Sequence, residues 1–132
     1  MIGIDTNVII RYVAQDDAQQ SPIATRFIEK TCTAVDPGFL SVVVLSETVW
    51  VMESLYGASR DDVTKIVSQL LRSKQLVAEE AESVWQALRA FASTEADFAD
   101  CLIERLCNAH GCNGMVTFDK GAAKAGMALL VK

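Results

Sequence analysis

The chain has 132 residues, of which 51% are hydrophobic, with 2 prolines and 7 glycines. That length is typical of one domain, and that composition fills a core and excludes a disordered, collagenous or low-complexity protein. Twelve Lys and Arg against 17 Asp and Glu leave a net charge of −5, which excludes a broad polycationic surface, so phosphate binding must be local or metal-assisted.

The first elements follow from the apolar pattern. Met1 to Ile4 is a short apolar run that ends at Asp5-Thr6-Asn7, and Val8 to Ala14 reads as helix. Ser21 to Cys32 predicts a second helix, with Ser21 as N-cap, Pro22 at the first helical position and Ile23, Phe27 and Ile28 on its inner face. Asp36-Pro37-Gly38 breaks that helix, and Phe39 to Ser41 predicts a short strand. Val42, Leu45, Val49, Met52 and Tyr56 then recur at helical spacing up to Gly57.

Ser59 to Arg72 predicts an amphipathic helix capped by Ser59, with Asp61 and Asp62 in its first turn. Gln75 to Ala78 reads as a weak strand, and Glu79 to Ala92 and Phe98 to Ala109 as helices. Met115 to Phe118 is an apolar run ending at Asp119, followed by a short helix over Lys120 to Ala125, Gly126 and the run Met127 to Val131. Short strands alternating with helices predict an α/β fold, a three-layer α/β/α sandwich around a short, mainly parallel sheet, because parallel neighbours need crossovers whose helices cover the sheet faces. One domain over 1–132 is expected, with a helical excursion off the sheet at 59–92.

No apolar run approaches the roughly 20 residues of a spanning helix. The opening Met1-Ile2-Gly3-Ile4-Asp5 carries no basic region or cleavage signal. A cytoplasmic protein with no membrane partner is the expectation. Cys32, Cys101, Cys107 and Cys112 form no CxxC pair and are expected to be reduced, packed thiols. The spacing of Cys107, His110 and Cys112 is not that of a zinc knuckle.

Acids carry the functional signal. Asp5 and Asp119 stand at the carboxyl ends of predicted strands, where sites form in open α/β sheets; each could equally serve as a cap or turn residue. Glu47 has Val43, Val44, Trp50 and Val51 as its helical neighbours. It is therefore expected in a helix buried nearly all round, where an unpaired carboxylate is expensive; the alternative is a Glu that reaches solvent at the helix edge or meets a distant Arg. Asp97, Asp100 and Glu104 form one stripe at i, i+3 and i+7, with Glu104 read as structural or supporting. Converging carboxylates raise one another's pKa unless a counter-charge is present. An all-oxygen set without His or Cys suits Mg²⁺ or Mn²⁺ and metal-assisted phosphodiester chemistry, which also brings an acidic protein to a polyanion.

The motifs Met1-Ile2-Gly3-Ile4-Asp5-Thr6-Asn7, Ser46-Glu47, Ala96-Asp97-Phe98-Ala99-Asp100-Cys101-Leu102-Ile103 and Val116-Thr117-Phe118-Asp119 together resemble the PIN-domain nucleases, specifically the VapC-type toxins of bacterial toxin-antitoxin modules. Each motif is short; their order and spacing over the whole chain make the combination specific. The resemblance implies an Mg²⁺- or Mn²⁺-dependent endoribonuclease with Asp5, Glu47, Asp100 and Asp119 at the positions of the family's acidic quartet, and Asp97 as an auxiliary ligand or water-orienting group. It implies supporting roles for Thr6, Asn7 and Thr117, an antitoxin protein and RNA as partners, and a homodimer. Arg11, Lys120 and Lys124 are the basic residues best placed to meet phosphates, although each could equally be an ordinary solubilising charge.

Two other classes compete. A phosphoaspartate-type hydrolase or receiver domain also puts aspartates at strand ends, but Asn7 occupies the position where the hydrolase motif wants a second Asp, and no paired acidic cluster with a later strand-end Lys is clear. A catalytically silent PIN-like binding module would keep the fold alone, and an intact acid set argues against it.

Overall fold

Gly38 shows why the first strands can pair. A Cβ there would run into the Ile4 side chain and lie 3.1 Å from Leu76 Cδ2, so only glycine lets its neighbours close in on both sides. The strands are β1 (Ile2–Gly3), β2 (Gly38–Leu40) and β3 (Leu76–Ala78), in the order β1-β2-β3. All pairs are parallel, with Ile2 opposite Gly38 and Gly38 opposite Leu76. The computed structural model describes residues 1–130 and resolves into two compact units, one running from Met1 to Glu79 and the other from Glu80 onward.

In the first unit each crossover is helical, as parallel strands require. Between β1 and β2 lie α1 (Thr6–Ala14) and α2 (Gln20–Arg26), the latter running on into a π-helical turn at Phe27–Thr31. Between β2 and β3 lie α3 (Val42–Tyr56) and α4 (Arg60–Arg72). Ser41 caps α3 by accepting from Val44 N, and Gly57, at φ +66°, ends it in the left-handed conformation that glycine adopts without strain. Ser59 and Asp62 close α4 with a reciprocal capping box. Ile9, Ile28, Leu40, Leu45, Val49, Val63 and Val67 are buried almost completely. The strand at Leu76–Ala78 pairs with β2, and Glu79 N donates to Leu40 O at 2.8 Å. The stretch 59–92 thus supplies a strand of this ladder as well as helices.

Two expectations for α2 are corrected. The helix starts at Gln20, and Asp17, not Ser21, closes its end: Asp17 Oδ1 accepts from Gln19 N at 3.0 Å and from Gln20 N at 2.7 Å. Those bonds hold the Asp17 carboxyl below its usual range. Ser21 is buried inside the helix and donates to Arg11 O. Ile23 lies outside the core and is 63% exposed, whereas Ile28 is buried. The buried positions Ser21, Ala24, Ile28 and Cys32 still recur at helical spacing, so the inner face simply runs through Ala24 instead of Ile23.

In the second unit α5 (Ala81–Ser93) packs on α6 (Phe98–Ala109). Phe91 and Phe98, both buried, meet edge to face with centroids 5.9 Å apart, the arrangement favoured by ring quadrupoles. β4 (Val116–Thr117) leads into α7 (Lys120–Ala123), and β5 (Ala128–Leu129) returns parallel to β4 with Val116 opposite Ala128. Where the sequence suggests one sheet, the described strands form two ladders, both parallel. Val131, the end of the last predicted apolar run, lies outside the described residues. No helix among the described residues is long and apolar enough to cross a membrane.

Candidate functional site

In the first unit the chain leaves β1 through Ile4 and turns directly into α1. Asp5 caps that helix: its Oδ1 accepts from Thr6 N at 2.8 Å, and its carbonyl accepts from Val8 N and Ile9 N. The capping alternative for Asp5 is therefore realised, and α1 begins at Thr6, two residues before the apolar pattern does. Capping uses one carboxylate oxygen and leaves the side chain exposed. Thr6 is buried, and its hydroxyl donates to Glu47 Oε1 on α3. That bond brings together residues 41 positions apart, on the helices that follow β1 and β2.

Glu47 itself is exposed, which corrects the expectation of a helix buried nearly all round. α3 buries Leu45, Thr48, Val49 and Met52 but leaves Val43 72% and Trp50 63% exposed. Apolar residues on both sides of a helix give periodicity nothing to discriminate, so only packing decides which side is covered. A cavity of about 380 Å³ is lined by Asp5, Thr6, Asn7, Arg11 and Glu47 and by side chains further along α3. Arg11 is engaged locally: its Nε donates to Gln20 Oε1 at 2.8 Å, and Nη1 lies 3.6 Å from Asp16.

In the second unit two acids act on a third through their charges. Asp97 is the residue before α6 and makes no side-chain capping bond, so it lies outside the helical stripe to which the spacing assigns it. Asp100 is in the first turn of α6 and half-buried. Its carboxyl titrates above the usual range, pushed up first by burial and then by the charges of Asp97 and Asp119. Asp119 follows β4 and caps α7, with Oδ1 accepting from Gly121 N at 2.9 Å. Its own N–H donates to Thr117 Oγ1 at 3.0 Å. Thr117 thus fixes the backbone from which Asp119 projects.

The remaining charges are less available. Glu104 pairs with its neighbour Arg105 at 2.6 Å, which agrees with a structural role. Lys124 lies 3.4 Å from Glu95, and Lys120 is exposed. All four cysteines are free thiols; Cys32 and Cys101 are buried and Cys112 is exposed, so packing holds for only part of the set. Burial pushes the Cys32 thiol up, away from reactivity.

The donors are carboxylate, hydroxyl and amide oxygens, the set a hard divalent cation takes. Among the described residues no group of three or more His, Cys, Asp or Glu is close enough to cage a metal. Small carboxylate groups with residual negative charge nonetheless fit Mg²⁺, which keeps several waters and commonly uses one or two protein carboxylates. The raised Asp100 pKa marks a charge conflict that such an ion would relieve.

Parallel strands joined by helices, with aspartates at the ends of β1 and β4, define an α/β protein, and the PIN domain family profile matches residues 2–127. The chain belongs to the PIN domain family, whose three-layer α/β/α fold is the class expected from the sequence. It is similar to a VapC ribonuclease of Aquifex aeolicus (strain VF5), being 22% identical over 123 residues that cover 93% of this chain and 90% of that protein.

Sequence reasoning missed one set of residues beside Asp5 and Glu47. Tyr56 OH donates to Asp16 Oδ2 at 2.8 Å across 40 residues. No local pattern signals such a pair.

Proposed function

We propose that this chain is an Mg²⁺- or Mn²⁺-dependent endoribonuclease, the toxin of a toxin-antitoxin pair, acting as one nuclease domain over 1–132. The observation that carries this reading is the end-to-end likeness to a VapC ribonuclease. The acids that sit at the strand ends support it. RNA is then the substrate and an antitoxin protein the partner, with a homodimer in the cytoplasm as the working form.

In this reading Asp5 and Glu47 in the first unit and Asp100 and Asp119 in the second are the metal-holding and catalytic acids, with Asp97 as an auxiliary group. Bound there, the ion supplies Lewis-acid polarisation of the phosphodiester and a lowered pKa for the attacking water. The chain's own part is orientation. Thr6 ties down one oxygen of Glu47, and the α1 amide of Thr6 ties down one oxygen of Asp5, so each carboxylate presents its other oxygen in a restricted direction. Gly121 N does the same for one oxygen of Asp119, and Thr117 holds the Asp119 backbone by accepting from its N–H. Asn7 adds a polar amide on the cavity wall. Arg11, Lys120 and Lys124 are the candidate phosphate contacts, and Arg11 must exchange part of its bonding to Gln20 and Asp16 for that role.

The test is cleavage of a mixed cellular RNA pool by purified, antitoxin-free protein with EDTA, Mg²⁺ or Mn²⁺, beside Asp5→Asn prepared identically. Discrete metal-dependent cuts that fall by on the order of a hundredfold or more in the variant are expected, since a metal ligand is worth several kcal/mol of transition-state stabilisation. Equal cutting by a folded Asp5→Asn protein would remove Asp5 from the site. No cutting with any metal would favour the silent binding module.

A further inference from the structure

The cavity beside Asp5 has two chemical characters. Asp5, Asn7 and Glu47 make it polar, whereas Val51, Leu55 and Tyr56 make it apolar. Glu47, Val51 and Leu55 lie at i, i+4 and i+8 on α3, so the apolar wall begins one turn beyond the acid and continues for another, about 6 and 12 Å along the axis. Leu55 is 72% exposed and Tyr56 39%. Apolar and aromatic surface left in water directly beside carboxylates fits a ligand that carries a phosphate and a flat π-faced base. The volume, about 380 Å³, is at the small end of the range for bound small molecules, roughly 300–1,000 Å³. It suits one nucleotide and not a duplex.

Tyr56 is held for such a role. Its hydroxyl donates to Asp16, and Asp16 also faces Arg11, so the ring and the cation on the cavity lining share one carboxylate. Gln15 puts Asp16 there: it ends α1 at φ +53°, and its side chain donates to Tyr12 O and Thr25 Oγ1. A non-glycine residue in the left-handed region is strained unless its surroundings fix it. Those two bonds do so.

We propose that Tyr56 and Leu55 form the platform on which a base of single-stranded RNA stacks beside the phosphate handled at Asp5 and Glu47. Base stacking on tyrosine tolerates sequence and is a common mode of single-strand recognition. This subsite rests on the ribonuclease reading, deepens it by assigning a substrate contact, and makes Tyr56 a determinant of where RNA is cut.

The test titrates the four nucleoside 5′-monophosphates, which contain no phosphodiester to cut, and inorganic phosphate against the full chain in Mg²⁺, following backbone NMR shifts from Val51 to Tyr56. Nucleotides should shift Leu55 and Tyr56 where inorganic phosphate does not. Tyr56→Ala should weaken nucleotide binding by roughly 5- to 150-fold, the range for loss of one stacking partner, and Tyr56→Phe, which keeps the ring and loses only the bond to Asp16, should weaken it less. Tyr56 ends a helix and is partly exposed, so the alanine variant should melt as the wild type does. Equal binding of phosphate and nucleotides, or an unchanged nucleotide Kd in Tyr56→Ala, overturns the subsite. The same shifts appearing on raising protein concentration alone would assign the wall to a second copy of the chain and also overturn it.

Mapping RNA cuts separates this proposal from the one beneath it. Cutting by Tyr56→Ala at unchanged positions defeats the subsite and leaves the nuclease reading standing. Nucleotide binding through Tyr56 by a wild type that cuts no RNA leaves the subsite and defeats the nuclease reading.

Discussion

The two units hold their acids in opposite ways. In the first, Asp5 and Glu47 each accept a bond from Thr6, one from its amide and one from its hydroxyl, and both remain in water. In the second, Asp100 is partly removed from water and feels the charges of Asp97 and Asp119. Protein donors orient the first pair. In the second group burial and the charges raise the pKa of the Asp100 carboxyl, while Arg105 is paired with Glu104 and Lys124 with Glu95. Hydrogen bonds from the chain thus fix the direction of one set of acids, and burial with charge repulsion sets the state of an acid in the other.

The comparison breaks most sharply on activity. Asp100→Asn should lower metal-dependent RNA cleavage by on the order of a hundredfold, and Asp97→Asn by about tenfold, the smaller loss expected of an auxiliary group. Initial rates at saturating Mg²⁺ decide it, and the reverse order would exchange the two assignments.

A smaller effect tests the aimed pair. Mg²⁺ at about one hundred times its Kd should stabilise the wild type by about 2.7 kcal/mol, because it binds the native state alone. Thermal melts with and without Mg²⁺ should show that gain shrinking in Glu47→Gln; an undiminished gain would mean that Glu47 is no ligand.

The smallest effect concerns pH. The folded pKa of Asp100 is raised, so its contribution to stability is fully present below the unfolded carboxylate pKa and is lost as pH rises through the folded value. Without metal, Asp100→Asn should therefore melt about 1–3 °C higher than the wild type at neutral pH, with the difference vanishing in acid. A variant that melts lower at neutral pH would show that the carboxylate is already compensated.

Much of the local structure was readable from residue pattern. Phe98 to Ala109 coincides with α6, and Ser59 with Asp62 marks the start of α4, because caps and periodicity act within a few residues. The failures are equally specific. Ser21 before Pro22 has the form of an N-cap, yet Asp17 takes that role from outside the helix and Ser21 bonds the carbonyl of Arg11 on another element. Glu47 lies among apolar neighbours in sequence but faces water, because α3 is covered on one side only.

What the sequence determined by itself was the order of strands and helices, the acidic balance and the positions of Asp5 and Asp119 at strand ends, all consequences of short-range chemistry along the chain. Tertiary structure alone decided that Thr6 reaches Glu47, that Tyr56 reaches Asp16 and that Asp100 feels Asp119. Those partners are set by how separate helices and strands pack, and a hydrogen bond or a charge acts over a few ångströms of space whatever the number of residues between.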